Sequence, residues 1–381
     1  MSRELTVAIA GAGIAGFAAA ASFAQRGAQV TVYERSETPR EFGAGIYLKE
    51  NSLPVLESLG VLDRILQNGE RIRSARIVDE RGEEIVRRSL EGERMYVVLR
   101  SVLHDALRDA ALDGGVQLVT NTTVVGATHH GELQFADGAT VSADLVVGAD
   151  GVNSCVRNSL GLTKSLRTLP DGATRLLIPR DEEPKASEYW SGNLRLGIAP
   201  CSADQSYVFL IGPEEDTRCG AVPVDAAYWV SRFPSLEHVF DRVSRTVGVH
   251  HAHSHVVCHQ WAAGRVAIIG DAAHAQPPNL GQGAGIAIAA AWELARSVED
   301  SDDVESRLVD WERRVRPSID GVQKYTTLYS YAGYYWPKPA LRLRSTFFHW
   351  LSNVHVTGRA WEYWWRGATV APKPVRTAQD I

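Results

Sequence analysis

The N-terminal 34 residues carry the pattern that most constrains the fold of this chain. An apolar strand, Leu5 to Ala10, runs into Gly11-Ala12-Gly13-Ile14-Ala15-Gly16, and a second strand, Ala28 to Tyr33, ends at Glu34. Glycines at this spacing allow a tight turn, close approach of the backbone to a pyrophosphate, and close packing of the following helix on the strand. That helix, about Ala15 to Arg26, directs unpaired N–H groups at the phosphates. The pattern therefore predicts a dinucleotide cradle.

The acidic residue at the end of the second strand indicates which nucleotide fits. Glu34 stands where a carboxylate can accept hydrogen bonds from both ribose hydroxyls of an adenosine. Two alternatives are a glycine-rich helix start without a ligand and a membrane or targeting segment, since the 20 residues from Leu5 to Ala24 are uncharged. The stretch is mostly Ala and Gly, contains a turn and follows Glu4, so we reject the membrane interpretation. The predicted nucleotide contacts are Gly11, Gly13, Ala15, Gly16, Glu34 and Arg35.

Composition excludes several classes of protein. With 381 residues, 45% of them hydrophobic and 22% charged, the chain is long enough for two domains, or for one large domain with an excursion, with a real hydrophobic core. A net charge of −5 offers no broad attraction to nucleic acid or to an anionic membrane. The four cysteines contain no CxxC pair, which argues against a zinc knuckle or a disulfide framework and favours a reducing, cytoplasmic setting.

The hydrophobic periodicity predicts a mixed α/β chain with interleaved domains. Helical patterns cover Asn51 to Gln67, Ser101 to Leu112, the interval Asp225 to Thr246, and most of the chain after Ile269. Strand patterns cover Arg76 to Val86, the hairpin region Leu133 to Val147 around Asp137-Gly138, much of Thr174 to His259, and Arg265 to Ile269.

Two further glycine–aspartate motifs follow buried strands. The first is Val146-Val147-Gly148-Ala149-Asp150-Gly151, with Arg157 shortly after it. The second is Ile268-Ile269-Gly270-Asp271-Ala272-Ala273-His274, which runs into Pro277-Pro278-Asn279-Leu280-Gly281-Gln282-Gly283-Ala284. Together with the first cradle, these motifs resemble the three signatures of the FAD-dependent aromatic hydroxylases, the class A flavoprotein monooxygenases. The resemblance covers about residues 5 to 330.

The resemblance implies a Rossmann-like FAD-binding domain of the GR2 type, interleaved with a β-sheet substrate domain and followed by a helical C-terminal segment. The FAD-binding domain would comprise residues 1–75, 98–165 and 260–330. The substrate domain would comprise residues 76–97 and 166–259. The helical segment would comprise residues 331–381.

The resemblance also assigns residues to the flavin. Arg100 would hold the pyrophosphate, Asp150 would contact the cofactor, and Asp271 would hydrogen-bond the ribityl chain. Backbone N–H groups of Gly281, Gln282, Gly283 and Ala284 would approach the flavin pyrimidine ring, where the N-terminus of the next helix favours the charge that develops on reduction. The alternative is that Asp271 serves only as the N-cap of a helix.

A closer resemblance is to the branch of this family that oxygenates hydroxypyridine carboxylates in vitamin B6 degradation. It is visible in Phe42 to Tyr47, in Arg100 to Leu107, and in an arginine and a tyrosine twelve residues apart, Arg195 and Tyr207. The resemblance makes this pair substrate-binding groups; a surface ion pair and a half-buried strand tyrosine are the alternatives. Pro278 would line the same space, and Tyr47 would lie against the isoalloxazine or the substrate, with plain packing as the alternative. Ala75 stands where that branch has a further pocket tyrosine.

The implied activity is that of an FAD-dependent monooxygenase with NADH or NADPH as electron donor. Through a C4a-hydroperoxyflavin it would insert one oxygen atom of O₂ into a small hydroxylated aromatic or pyridine-type acid, with or without ring opening. Simple salicylate- or hydroxynicotinate-type hydroxylation, a non-oxygenating FAD oxidoreductase and a flavin-binding interaction module remain alternatives. The chain has one dinucleotide fingerprint, so the nicotinamide donor is expected to dock transiently.

Two other features carry no assigned function. Five histidines lie between His250 and His259, and we interpret them as a solvated strand face rather than a metal site. Aromatic residues crowd the stretch from Tyr325 to Trp365, where helix packing, a dimer contact and a pocket cover are all open. We expect a monomer or a homodimer, without a membrane or nucleic-acid partner.

Overall fold

Two β-sheets built from alternating stretches of the chain form the framework of the protein. The structure, a computed structural model, describes residues 4–39, 44–180, 185–299, 301, 303–353 and 366–370. Phe42 and Gly43, in the segment Phe42 to Tyr47, and Trp361, Trp364 and Trp365, at the end of the aromatic stretch Tyr325 to Trp365, lie outside these residues.

The strands, in chain order, are β1 Thr6–Ala10, β2 Gln29–Tyr33, β3 Gly45–Leu48, β4 Gly69–Arg71, β5 Ser74–Val78, β6 Glu84–Ser89, β7 Tyr96–Leu99, β8 Gln117–Val119, β9 Val124–Thr128, β10 Glu132–Phe135, β11 Thr140–Ser142, β12 Leu145–Gly148, β13 Thr163–Pro179, β14 Lys185–Ser191, β15 Leu194–Pro200, β16 Gln205–Pro213, β17 Val249–Cys258, β18 Ala262–Ala263 and β19 Val266–Ile268. The helices are α1 Ile14–Ala24, α2 Leu53–Ser58, α3 Leu62–Gln67, α4 Arg100–Asp113, α5 Cys155–Ser159, α6 Ala226–Arg232, α7 Glu237–Val243, α8 Asp271–His274, α9 Gly283–Val298, α10 Val304–Tyr334 and α11 Leu341–Asn353.

The first sheet has six strands in the order β18-β19-β12-β1-β2-β8. Its neighbours are parallel except for β18. The central strands are short apolar runs buried on both faces, as a parallel sheet covered by helices requires. Helices α1, α4 and α9 pack together on this sheet. This is the Rossmann-like arrangement that the opening motif predicts.

The three glycine motifs meet at one edge of this sheet. Strand β1 pairs in parallel with β12, and β12 pairs in parallel with β19. The motifs begin directly after these strands, at Gly11, Ala149 and Ile269. Because the strands are parallel neighbours, segments that are more than a hundred residues apart in sequence lie side by side.

The second sheet has seven strands in the order β17-β13-β16-β15-β14-β5-β6. One face, which includes Leu196, Val208 and Leu210, packs on α6 and α7 around the buried Trp229. The opposite face packs on β3, β7 and the C-terminal helices. Alternation along the strands places Arg195 and Tyr207 on that second face.

Two predicted helices are broken where the sequence pattern looked continuous. The stretch Asn51 to Gln67 forms α2 and α3, because Gly60 takes a left-handed φ of 73°. The interval Asp225 to Thr246 forms α6 and α7, separated by a 3-10 turn that starts at Pro234. The hairpin predicted around Asp137-Gly138 is present as β10 and β11.

Helix α10 connects the two halves of the molecule. Its 31 residues begin against α9 and continue past residue 330 to the second sheet. Within the described part of the chain, no helix is long and apolar enough to span a membrane.

Candidate active site

The glycine cradle is formed by close contacts that exclude larger side chains. A Cβ on Gly16 would lie 1.9 Å from the carbonyl oxygen of Gly11, and a Cβ on Gly11 would lie 2.6 Å from that of Ala149. Gly11 also has a φ of 98°. Gly13 caps α1 with extended backbone, and a Cβ on Gly270 would lie 2.8 Å from Ala15. The first and third motifs are therefore in direct contact, as a shared cofactor requires.

Glu34 ties the cradle to the end of β2. Its Oε2 accepts a hydrogen bond of 3.0 Å from the Ala12 N–H, and its Oε1 accepts one of 2.9 Å from the Ser36 N–H. Each oxygen keeps a second lone pair for a further donor, such as a ribose hydroxyl. The neighbouring Arg35 is exposed.

A histidine that the sequence analysis did not single out supports the same loop. His104 on α4 is almost fully buried, and its Nε2 lies 2.9 Å from the carbonyl oxygen of Ala12. In the sequence, the signal for this role was that His104 lies one helical turn after Arg100. The half-buried Arg100 begins α4, and its N–H donates to Ala44 at 2.9 Å.

Arg157 joins the second motif to the third. It is fully buried and donates to the carbonyl oxygens of Val152, at 2.8 Å, and Ala272, at 3.0 Å. Asp150 accepts from the Val156 N–H through Oδ2, whereas its buried Oδ1 has no partner within the described residues. Asp271 is exposed at the start of α8.

The loop before α9 is anchored at both ends. Thr326 on α10 donates to the carbonyl oxygen of Pro277 at 2.7 Å, and Lys49 donates to that of Leu280 at 2.6 Å. The buried Gln282 accepts from the Ala368 N–H at 2.9 Å. These contacts fix the backbone that leads into Gly283 and Ala284, the first residues of α9. We call residues 277–284 the flavin loop, because the family resemblance implies that this segment approaches the flavin ring.

Tyr47 and Tyr207 lie where the flavin loop, β3 and the second sheet meet. A Cβ on Gly281 would lie 3.1 Å from Tyr47, and a Cβ on Gly45 would lie 2.6 Å from Tyr207. Burial raises the pKa of both tyrosines, so their hydroxyls stay protonated at neutral pH. Pro278 is exposed at the start of the 3-10 turn in the flavin loop.

Arg195 and Tyr207 lie on the same face of the sheet but are not opposite each other in the strand register. Arg195 pairs with Ile211, four residues beyond Tyr207, which separates the two by about 13 Å along the strands. Between them, the Phe209 ring covers Gly197, where a Cβ would approach it to 1.8 Å. The shared interval of twelve residues therefore defines the two ends of an aromatic surface.

The charge of Arg195 is already compensated. Its guanidinium is buried, donates to Asn279 at 2.7 Å, and lies 3.6 Å from Glu188 and 3.9 Å from Asp171. It also lies over the Tyr329 ring, 5.1 Å from the centroid. The sequence missed this network, because its members come from four separate parts of the chain.

Arg175 is a second arginine on the same face, and the sequence analysis also missed it. It is half-buried on β13, directly opposite Phe209 in the register, and its positive charge opposes the rise that burial causes in the pKa of Tyr207. Among the described residues, no carboxylate lies within ion-pair distance of it. The signal available in the sequence was the alternation of side chains along β13. Arg175 lies two residues before Leu177, which pairs with Tyr207, so Arg175 and Leu177 point to the same face of the sheet.

The histidines from His250 to His259 do not share one environment. His250 contacts Glu214 at 2.8 Å, His251 is exposed, and His253 is buried 3.3 Å from Asp171. In the part of the chain that the structure describes, no three His, Cys, Asp or Glu side chains group as metal ligands would. The prediction that these histidines form a solvated strand face is therefore wrong at His253, which is buried.

Comparisons with known proteins identify the class. The family described as "FAD binding domain" matches residues 4–304, and the chain belongs to this family of FAD-dependent monooxygenases. A 2-heptyl-3-hydroxy-4(1H)-quinolone synthase of Mycobacteroides abscessus is 36% identical over 332 residues, which cover 84% of this chain and 88% of the relative.

Solved structures agree with this assignment. The tetrameric form of 2-methyl-3-hydroxypyridine-5-carboxylic acid oxygenase superposes with a TM-score of 0.84 at 33% identity, covering 95% of this chain and 96% of that one. Klebsiella pneumoniae HpxO complexed with FAD and uric acid shares the fold, with a TM-score of 0.79 at 22% identity, covering 91% of this chain and 92% of that one. The predicted family, fold class and flavin cofactor are therefore confirmed.

The residues present fit FAD. The cradle excludes any Cβ at Gly16, and the buried Oδ1 of Asp150 lacks a protein partner within the described residues. The flavin loop presents backbone N–H groups at the start of a 16-residue helix. When bound, FAD accepts electrons from NADH or NADPH, the usual donors of this family, and activates O₂.

Proposed function

We propose that this protein inserts one oxygen atom into a small hydroxylated N-heteroaromatic acid of the pyridine type. The observation that carries the proposal is that Arg175 lies two residues from Leu177, the register partner of Tyr207, without a carboxylate partner among the described residues. A guanidinium in this position can hold a substrate carboxylate or ring oxyanion, while Tyr207 donates to or accepts from the ring hydroxyl. Tyr47 would cover the ring from the β3 side.

The cofactor contacts are proposed as the sequence analysis gave them. The pyrophosphate would lie against Gly11, Gly13, Ala15, Gly16 and Arg100, and the adenosine against Glu34 and Arg35. Asp150 and Asp271 would hold the central part of the cofactor, and Gly281 to Ala284 its ring end. The short contacts within the cradle and the anchoring of the flavin loop support this arrangement.

The role of Arg195 is revised in this proposal. Two carboxylates and Asn279 already surround its guanidinium, so we propose that it positions the flavin loop and closes one end of the substrate surface. Exclusion of water by this packed network would protect the reactive oxygenating species from decay. Pro278 would line the same surface at the loop.

A second candidate substrate is a neutral quinolone. The compensated charge of Arg195 and the aromatic character of the surface, with Phe209, Trp190 and Tyr329, favour an uncharged bicyclic ring. The name of the M. abscessus relative includes such a ring. Ring hydroxylation is the expected outcome for this candidate, whereas ring opening is an additional outcome for the pyridine acid.

The test is a substrate panel assayed with the purified holoenzyme. The compounds are 5-hydroxynicotinate, 6-hydroxynicotinate, salicylate and 4(1H)-quinolone, scored for stimulated NADH or NADPH oxidation and for product mass. Selective turnover of a hydroxynicotinate supports the first candidate, and selective turnover of the quinolone supports the second. Loss of aromatic absorbance distinguishes ring opening from hydroxylation. A protein that consumes reductant with none of them, under conditions where FAD is bound, contradicts both.

We propose the domain division given by the sequence analysis. It is supported by the six-stranded sheet, because all six of its strands lie within the proposed FAD-binding ranges, whereas β5, β7 and β13 cross the proposed boundaries. We also propose a monomer or homodimer in the cytoplasm; the four cysteines, all in the described part, are free thiols.

A further inference from the structure

A buried lysine supports the flavin loop. Lys49 follows β3, is 4% exposed, and donates from Nζ to the carbonyl oxygen of Leu280 at 2.6 Å. That carbonyl belongs to the same peptide group as the Gly281 N–H. Lysine is almost never fully buried unless its charge is paired or hydrogen-bonded, because removing an ammonium ion from water is costly. No part of the proposed oxygen insertion uses this residue.

The surroundings of Lys49 do not fix its protonation state at neutral pH. Burial lowers the pKa of Lys49 to about 7, although the carboxylate of Glu93 acts in the opposite direction. Glu93 is shared with Arg88, its hydrogen-bond partner, and with Arg366 at 3.6 Å. The adjacent Glu50 is held by Arg94 at 3.0 Å. A new negative charge near Lys49 would therefore favour its charged form.

We propose that Lys49 stabilises the reduced flavin, both through its own positive charge and by orienting the Leu280–Gly281 peptide. The hydride of NADH or NADPH brings two electrons to the flavin; the oxidised nicotinamide leaves, and the flavin gains one negative charge. A buried ammonium ion close to that charge stabilises it more than a surface lysine does, because less water screens the interaction. The inference rests on the proposed placement of the flavin loop against the flavin ring.

The test is the midpoint potential of bound FAD, measured without any substrate. Lys49→Gln keeps a donor for Leu280 but removes the charge, and Lys49→Met removes both. We expect Lys49→Gln to weaken binding of reduced FAD ten- to hundredfold relative to oxidised FAD. For a two-electron couple this lowers the potential by about 30 to 60 mV.

The matched control is Lys324→Met, which removes one positive charge from an exposed position on α10. It should leave the potential unchanged. Lys49→Arg, which keeps the charge, should lie closer to the wild type than Lys49→Gln does. If Lys49→Met loses FAD, Lys49→Gln decides the question.

An unchanged potential in FAD-loaded Lys49→Gln would overturn the inference. An equal decrease in Lys324→Met would also overturn it, because the effect would then depend only on net charge. The measurement does not involve an aromatic compound. A negative result in the substrate panel would therefore leave it standing, and the two failures can be told apart.

Discussion

Arg195 and Asn279 connect the seven-stranded sheet to the flavin loop: Nη2 of Arg195 donates to Oδ1 of Asn279 at 2.7 Å. The Asn279 amide in turn donates to Ser330 at 2.7 Å and to the carbonyl oxygen of Thr326 at 2.9 Å. One asparagine thus links β15 of the seven-stranded sheet, the loop and α10. Any change in this contact should alter loop position and substrate surface together.

Arg175 and Arg195 have different surroundings, so replacing each of them should have a different effect on catalysis. Arg175→Ala should raise KM for an acidic substrate about tenfold to a hundredfold, since hydrogen bonds to charged groups contribute about 1.5–3 kcal/mol, and should leave a neutral substrate almost unaffected. Arg195→Lys should reduce the ratio of product formed to NAD(P)H consumed for acidic and neutral substrates alike. Steady-state kinetics with product quantification distinguishes the two. Equal KM effects on both substrate types in Arg175→Ala would exclude an anion-binding role.

The cradle predicts that Gly16→Val does not retain FAD. A Cβ there would lie 1.9 Å from the carbonyl oxygen of Gly11, so the helix must move away from the strand. We expect the affinity for FAD to fall at least about a hundredfold, equivalent to about 3 kcal/mol. Absorbance of the purified protein and fluorescence titration with FAD measure this. Gly92→Ala, at a glycine with open space around it, serves as the control and should remain yellow.

Arg157 should be a major contributor to stability. Arg157→Met removes hydrogen bonds to Val152, Ala272 and Thr163 and leaves buried carbonyl groups without donors. We expect the free energy of unfolding to decrease by about 3 kcal/mol or more, measured by urea denaturation. The exposed Arg167→Met on β13 should change it by less than about 0.5 kcal/mol. Similar losses in the two variants would contradict the structural role.

His274 should make the protein sensitive to acid. Burial lowers its pKa to about 4, and its Nε2 has no hydrogen-bond partner among the described residues. Between pH 6.5 and pH 4 the unfolded chain binds a proton at this residue and the folded chain does not. The free energy of unfolding therefore shows no loss from His274 above about pH 6.5. It falls as the pH decreases, by about 3 kcal/mol in total from this residue.

The check for this prediction is the pH dependence of urea unfolding. His274→Leu should flatten the decline relative to the wild type, and His238→Leu, at an exposed position on α7, should not. His251, His253 and His255, whose pKa values burial also lowers, act in the same direction and contribute a residual slope in His274→Leu. An identical slope in His274→Leu and the wild type would exclude the assignment.

Local patterns were sufficient to predict the flavin half of the fold. Each glycine motif consists of a short strand, a turn and the start of a helix. Its residue types are therefore dictated by nearby backbone and can be recognised from the sequence alone. The convergence of Gly11, Asp150 and Asp271 then follows because their strands are parallel neighbours. Broken helices at Gly60 and Pro234 were missed because apolar spacing continues across both breaks.

The sequence alone determined the nucleotide cradle and the sheet that carries it, since backbone geometry at glycines and buried apolar strands leaves few alternatives. FAD as the nucleotide followed from the family resemblance of the three motifs. Only the tertiary structure decided which polar groups act together. It surrounded Arg195 with Asp171, Glu188 and Asn279, left Arg175 beside Tyr207, and directed Lys49 to the flavin loop. The physical reason is that charge compensation depends on distances of a few ångströms between segments far apart in the chain, and residue spacing does not encode those distances.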